Sequence, residues 1–194
     1  MEKMSKSKQQ LKRKKISKSG KSGSGFTRAT RKYLLSRLFK NKNVEIRPLL
    51  DEDLKWLWAS YKKGGFSDII KDGLDRDAFV SQMTTIFSML STSYGIIDDG
   101  RMIGVVPVLN KRFDSEMYQE LDISWFPWAT PRQKIIGAAK AIIELKKKAP
   151  ILVYVKGKHN KFVTHIAKYG IMRRVGKLRQ KDGDLYLFES IQGA

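Results

Sequence analysis

The run Ser-Tyr-Gly-Ile-Ile-Asp-Asp-Gly-Arg-Met-Ile-Gly-Val-Val-Pro-Val-Leu, residues 93–109, decides the fold class. Two stretches rich in β-branched residues, 93–97 and 102–109, flank the tetrapeptide Asp-Asp-Gly-Arg. An Asp-Gly pair in this position favours a tight turn, because the central residues of such a turn adopt positive φ angles. The sequence therefore predicts an antiparallel hairpin near the centre of the chain.

A short strand and two helices are predicted on the N-terminal side of this hairpin. Residues 44–48 alternate like a half-buried strand, and Pro48 stops it. Asp51 is placed to cap a helix whose apolar residues share one face until Gly64 and Gly65. A second helix with a similar apolar face is predicted over 75–90.

Alternating strands and helices are predicted on the C-terminal side. A strand over 120–125 leads to Thr130 and Pro131, which are typical of the N-cap and first residue of a helix, here extending to Lys148. The remaining elements are a buried strand over 151–155, a helix over 159–169 closed by Gly170, and strands over 171–178 and 185–189. This order predicts an α/β fold with a mixed central sheet of about six to seven strands and helices on both faces.

Length and composition exclude several classes of protein. A chain of 194 residues with 41% hydrophobic residues has room for one domain and an appendage. The absence of cysteine excludes disulfides, thiolate metal sites and cysteine nucleophiles. No apolar run approaches the roughly 20 residues that span a bilayer, so we expect a protein that is neither membrane-spanning nor secreted.

Positive charge is concentrated at the N-terminus. The net charge is +20, and residues 1–42 hold fifteen Lys and Arg against Glu2, which gives +14 and leaves +6 for the other 152 residues. Residues 1–25 consist mainly of Lys, Ser, Gly and Gln and predict a disordered basic arm. A basic amphipathic helix or linker is expected over 26–42, and the folded domain over 43–194.

Such an arm is expected to bind a polyanion, with nucleic acid as the leading partner and an anionic membrane surface as the second. No zinc-finger, RNP or KH motif is present, so nucleic-acid binding would be independent of sequence and strongly salt-dependent. The basic residues at 173–181 either extend this contact or form a solvated hairpin edge. The candidate contacts in the arm are Lys12, Arg13, Lys14, Lys15, Lys18 and Lys21.

Several local motifs resemble the GNAT family of acyl-CoA N-acyltransferases over about residues 44–190. Ile-Arg-Pro at 46–48, followed by Asp-Glu-Asp-Leu, resembles the opening strand and first helix of the family. The run at 95–105 resembles its central hairpin, and the run from Asn160 to the final hairpin resembles its closing elements. The resemblance implies acetyl-CoA as cofactor and N-acyltransferase activity.

A narrower resemblance is to the acetyltransferase-like internal virion proteins of T7-type short-tailed phages. The shared features are Ser-Trp-Phe at 124–126, Gly-x-Ala at 137–139, Val-Tyr-Val at 153–155, a histidine in the next helix and an Asp-Gly turn near the end. This resemblance implies a role in virion assembly or DNA delivery, with weak or no catalysis. It also implies phage structural proteins as alternative partners, and a location in the bacterial cytoplasm or the virion.

The GNAT resemblance places the CoA-binding loop at Lys134, Gly137 and Ala139, which match the spacing of the family motif Gln/Arg-x-x-Gly-x-Gly/Ala. Backbone N–H groups at a helix N-terminus favour pyrophosphate. If Thr130 and Pro131 begin the helix, however, Gly137 falls in its second turn, where its N–H is bonded within the helix. The glycine would then allow close packing of the helix on the sheet.

Acetylation of an amine requires a base, and the resemblance implies a carboxylate on the strand before this loop. Glu120 and Asp122 are the candidates, because residues two apart share a strand face and can raise each other's pKa. A salt bridge between one of them and a neighbouring Lys or Arg is the alternative.

The family pattern also implies a tyrosine that protonates the leaving thiolate, but the matching position here holds Ile166. Tyr169 lies three residues later and is the remaining candidate. His159 and His165 are too few for a histidine-rich metal site, so no metal is expected. Trp125 and Trp128 either line a pocket or seal the end of the sheet.

Overall fold

The computed structural model describes residues 28–40, 43–90, 92–113, 115–157, 160–180 and 183–191. The predicted arm at 1–25, with its six candidate cations, lies outside these ranges, as do His159 and Lys181. The helices and strands are α1 (Arg28–Phe39), β1 (Val44–Pro48), α2 (Leu54–Tyr61), α3 (Arg76–Ser88), β2 (Thr92–Asp98), β3 (Arg101–Phe113), β4 (Glu116–Leu121), β5 (Ser124–Trp125), α4 (Pro131–Leu145), β6 (Ile151–Lys156), α5 (Asn160–Ala167), β7 (Met172–Gln180) and β8 (Gly183–Ser190).

The strands form a mixed sheet in the order β1-β2-β3-β4-β6-β8-β7, and β5 pairs with β3 beside this path. The β4–β6 pair is parallel and the other pairs are antiparallel. Apolar side chains of α2 and α3 form a core on one face, and those of α4 and α5 form a second core on the other. The predicted α/β fold with helices on both faces is confirmed.

The central hairpin is also confirmed. Asp98 pairs with Arg101 at its end, and the two turn residues between them, Asp99 and Gly100, have φ angles of 49° and 76°. Glycine has no Cβ and adopts a positive φ without strain, and aspartate tolerates it better than most residues. The turn chemistry visible in the sequence therefore fixes the pairing of β2 with β3.

The single strand predicted over 120–125 is wrong, because the structure divides this region. β4 begins at Glu116 and pairs with both β3 and β6, whereas β5 comes after a break at 122–123 and pairs only with β3. The prediction missed the early start because β3 extends to Phe113 through the polar run 110–112 and offers β4 a longer partner. Within the described ranges, the sheet therefore has eight strands.

The predicted helix ends need smaller corrections. α4 ends at Leu145 rather than Lys148, and α5 ends at Ala167, so Tyr169 lies in the turn beyond the helix. Asp51 begins a short 3-10 turn and does not cap α2; instead Asp53 turns inward to pair with Arg47. The predicted ends of α4 and α5 thus lie three and two residues beyond the observed ends. The last turn of a helix often frays, so its exact end is the part that local sequence defines least well.

α1 contacts the domain through one side. Leu35, Leu38 and Phe39 pack against the core that α4 and α5 share, while the side chain of Tyr33 is 59% exposed. No helix in the described ranges is both long enough and apolar enough to cross a membrane.

Candidate functional site

The first turn of α4 is closed by its own capping interactions. The backbone N–H of Gln133 donates to Thr130 Oγ1 at 3.3 Å, and the N–H of Thr130 donates to Gln133 Oε1 at 2.9 Å. Pro131 has no N–H, and the N–H of Lys134 donates to the carbonyl oxygen of Thr130 at 3.0 Å. Arg132 therefore holds the one backbone donor that remains in this turn.

Gly137 and Ala139 lie in the interior of α4, against the sheet. A Cβ atom added at Gly137 would come within 2.9 Å of Ile96 Cγ2 and 3.2 Å of Trp125 Cη2. Ala139 is fully buried in the same core. The absence of a side chain at Gly137 thus allows α4 to approach the sheet closely, and the ring of Trp125 fills the space next to its Cα.

A carboxyl group also lies beside the first turn of α4. Asp98, at the end of β2, is 5% exposed and accepts a hydrogen bond from Gln133 Nε2 at 2.8 Å. Its second oxygen, Oδ1, is buried without a hydrogen-bond partner in the described residues. This hydrogen bond links the central hairpin to α4. It also places the carboxylate of Asp98, a hydrogen-bond acceptor, next to the first turn of α4, where a phosphate would need donors.

These features do not fit the pyrophosphate of CoA. A pyrophosphate cradle requires several backbone N–H groups that are free and converge, as at an open helix N-terminus. The first turn of α4 retains the N–H of Arg132, and the N–H groups of Gly137 and Ala139 lie further along the helix, where the i to i−4 bonds use them. Lys134, the first residue of the matched motif, is half-buried on the same helix.

A cavity of about 260 Å³ lies on the other face of the sheet, between α3 and β3. Glu120 and Asp122 both line it, so the structure brings the two predicted carboxylates to one place. Glu120 lies in β4, whereas Asp122 lies just beyond its end and is exposed. The other lining residues are Phe66, Ile69, Met83, Ile86, Phe87, Leu90, Val105, Pro107, Leu109 and Ser124.

Lys111 of β3 forms an ion pair with Glu120 at the edge of this cavity. Through this contact, the carboxylate of Glu120 raises the pKa of Lys111 above its ordinary value. The salt bridge that the sequence left as an alternative is therefore present.

Tyr169 is separated from these carboxylates by the sheet. Tyr169 packs on the core of the α4 and α5 face, with its ring centre 5.7 Å from that of His165. Ile166, in the position where the family has tyrosine, is 1% exposed in the same core. The cavity with Glu120 opens on the opposite face, so the structure does not bring the three catalytic candidates together.

Most of the basic side chains of β7 that the structure places are engaged within the last hairpin. Arg173 pairs with Glu189 at 2.8 Å, and Lys177 pairs with Asp184 at 2.7 Å. The guanidinium of Arg174 lies 4.7 Å from the ring centre of Tyr186. Within the described part of the chain, no group of three or more His, Asp or Glu side chains is arranged to hold a metal ion.

A cluster of tryptophans and cations, which the sequence analysis missed, lies beside α4. Arg101 Cζ and Lys63 Nζ lie 4.7 Å and 5.5 Å from the ring centre of Trp128, and Lys55 Nζ lies 5.8 Å from that of Trp56. We call these five residues the tryptophan patch. They come from α2, the turn after α2, the start of β3 and the loop before α4, so no motif of local spacing could have identified them.

Comparisons with known proteins support the fold. No protein-family model matches the sequence, and no curated protein is detectably similar to it. Among solved structures, a chimera of the spermidine N-acetyltransferase SpeG from Vibrio cholerae with hSSAT matches with a TM-score of 0.58 and 14% identity, over 77% of this chain and 95% of that one.

Two further structures agree. The Vibrio cholerae spermidine N-acetyltransferase in complex with CoA and spermine matches with a TM-score of 0.54 and 15% identity, over 77% of this chain and 95% of that one. An acetyltransferase of the GNAT family from Streptococcus pneumoniae matches with a TM-score of 0.52 and 14% identity, over 78% and 100% of the two chains. This chain therefore has the fold of the GNAT acetyltransferases.

Proposed function

We propose that this chain is a nucleic-acid-binding protein built on the GNAT fold, and that it acts without acetyl-CoA-dependent transfer. The observation that carries the non-enzymatic part of the proposal is the closed first turn of α4, where the N–H groups of Thr130 and Gln133 are bonded and Pro131 has none, so a pyrophosphate lacks the donors it would need. Tyr169 and Glu120 lie on opposite faces of the sheet, so they cannot act together on one substrate, and this also supports a function without acyl transfer.

The charge distribution supports nucleic acid as the ligand. Residues 1–42 carry a net charge of +14, which is the larger part of the total of +20. Neutralising phosphates with Lys and Arg releases condensed counterions, and this supplies most of the free energy of sequence-independent binding. The six arm cations from Lys12 to Lys21 are the proposed contacts.

The setting that we propose is a phage particle or its assembly. The narrower resemblance, to internal virion proteins of short-tailed phages, supports this setting through Ser-Trp-Phe at 124–126 and Val-Tyr-Val at 153–155. Mass spectrometry of purified particles from a producing phage checks it. Absence of the chain from particles and from assembly intermediates would remove the virion role and leave nucleic-acid binding to stand by itself.

Two measurements on the full chain test the main proposal, after purification with nuclease and high salt. Calorimetric titration with acetyl-CoA is expected to give no saturable heat, and electrophoretic mobility assays are expected to show binding to DNA of unrelated sequences. Saturable binding of acetyl-CoA would overturn the non-enzymatic part. Failure to shift any nucleic acid at low salt would overturn the binding part.

A second candidate function is N-acyl transfer, which one observation favours. Glu120 and Asp122 line an apolar cavity, and a carboxylate in such a place can attract and deprotonate an amine. If the full chain releases CoA from acetyl-CoA in the presence of polyamines or lysine peptides, the Glu120→Gln variant should lower that rate by about 100-fold or more. An undiminished rate in this variant would exclude Glu120 as the base.

A further inference from the structure

The tryptophan patch is held in a fixed arrangement by the core below it. Trp128 Nε1 donates to the carbonyl oxygen of Met102 at 2.8 Å, and its ring packs edge-on against Phe126, with centroids 5.0 Å apart. The ring centre of Trp56 lies 6.4 Å from that of Trp128. The two indoles are half-buried and therefore offer part of their surface to solvent in a preset orientation.

The cations of the patch are exposed, and none of them forms an ion pair with another described residue. Lys55, Lys63 and Arg101 form no salt bridge with any acidic side chain that the structure describes, whereas Arg173 and Lys177 of β7 are both paired. Asp53 attracts Lys55 electrostatically, but its carboxylate is hydrogen-bonded to Arg47. The nearest acids in sequence to Arg101 are Asp98, which accepts a hydrogen bond from Gln133, and Asp99 in the hairpin turn, and the nearest to Lys63 is Asp68. The positive charge of the patch is thus available to a ligand.

Further positive charge lies near the patch, alongside the buried carboxylate of Asp98. Trp128 lies two residues before Thr130, the N-cap of α4, so the positive end of the helix dipole is close to the indole. Arg132, in the first turn, is exposed and adds a further cation. Unpaired cations around half-exposed indoles match an anionic ligand that also carries flat aromatic groups.

We propose that the tryptophan patch is a contact site for single-stranded nucleic acid, with Lys63 and Arg101 on phosphates and Trp56 and Trp128 against bases. This inference rests on the proposed function and goes beyond it, since it places a second contact on the folded domain. Single strands are favoured over duplexes because their bases can leave the stack and lie on an indole. Stacking is tolerant of sequence, as every base has a π-face.

The test measures fluorescence anisotropy of a labelled oligothymidylate and of a mixed-sequence duplex of equal length with the full chain. The Lys63→Ser, Arg101→Ser double variant is compared with an Arg112→Ser, Arg179→Ser double variant, which loses the same charge at exposed sites on β3 and β7. We expect the first to weaken oligothymidylate binding about tenfold or more, and the second by less than about threefold. The Trp56→Leu variant should also lose affinity for the single strand and reduce the quenching of tryptophan fluorescence.

Circular dichroism and urea unfolding show whether each variant is folded, and the charge variants alter exposed side chains only. Equal weakening by the two double variants, or equal weakening on the duplex and the single strand, overturns the proposed site. Loss of binding to vesicles rich in phosphatidylserine, with nucleic-acid binding unchanged, overturns it in favour of a membrane contact. If the wild-type chain binds no nucleic acid at all, the proposed function fails; if it binds and the patch variant binds equally well, only the patch fails.

Discussion

At the scale of single residues, Gly137 has a different role from the one that its motif implies. Its position in Lys-x-x-Gly-x-Ala matches a ligand-binding motif, yet the space beside its Cα is filled by Ile96 and Trp125. We predict that Gly137→Ala lowers the free energy of unfolding by about 1 kcal/mol, because overpacking of the core outweighs the helix propensity gained from alanine. Urea unfolding checks this, with the exposed Thr84→Ala in α3 as control. A more stable Gly137→Ala protein would show that the helix can move away from the sheet.

The ion pair between half-buried Arg47 and buried Asp53 gives a second prediction at the residue scale. Burial by itself would raise the pKa of Asp53, but hydrogen bonds from Arg47 at 2.7 and 2.8 Å and from the N–H of Leu50 at 2.9 Å hold that pKa below its ordinary value. A lowered folded-state pKa stabilises the protein above the unfolded value of about 3.9, and this stability is lost as the pH falls through the folded value.

Stability should therefore decline as the pH falls below about 4, and Asp53→Asn should remove much of that decline while costing about 2 to 3 kcal/mol at neutral pH. Urea unfolding of both proteins at several pH values measures the effect. The exposed Asp51→Asn variant is the matched control. If the loss of stability in acid is unchanged in Asp53→Asn, carboxylates other than Asp53 are responsible for it.

At the scale of elements, the capped start of α4 determines both stability and ligand access. Thr130 and Gln133 cap each other, and Gln133 also donates to Asp98, so the helix is fixed to the central hairpin. We predict that Thr130→Ala lowers the free energy of unfolding by about 1 kcal/mol, whereas Thr130→Ser has little effect because the hydroxyl remains. Thermal and urea unfolding distinguish the two variants. Equal stability of Thr130→Ala and wild type would mean that the hydroxyl contributes nothing to the cap.

At the scale of the whole molecule, charge is divided unequally between the arm and the domain. Residues 1–42 carry +14 and the remaining 152 residues +6, so long-range attraction of nucleic acid should depend mainly on residues 1–42. The arm at 1–25 holds nine Lys and Arg against Glu2 and supplies +8 of that charge. We predict that replacing the six arm cations with serine reduces the slope of log K against log salt for duplex DNA by about 5, at about 0.9 per phosphate contact. The control replaces the five arm lysines of this set with arginine, which keeps the charge and should keep the slope. If the serine variant keeps the wild-type slope, the phosphate contacts are made by residues other than these six cations.

The sequence by itself determined the features that arise from neighbours along the chain. The Asp-Gly turn, the Thr130-Pro131 helix start and the Gly170 helix end are set by the φ angles and donors of a few adjacent residues. With the order of apolar segments, they were enough to predict an α/β fold with a mixed central sheet, and the resemblance of several motifs then pointed to the GNAT family. The concentration of positive charge at the N-terminus is likewise a property of the sequence alone.

The tertiary structure decided the rest, because it depends on distances between residues far apart in sequence. A motif match shows where Gly137 falls in the chain, but only packing against Ile96 and Trp125 shows that no ligand can reach it. The split of β4 from β5 follows from the length of β3, and the tryptophan patch exists only where α2, β3 and the loop before α4 meet. Pairing and stacking across elements depend on how the strands and helices assemble in three dimensions, which local spacing does not encode.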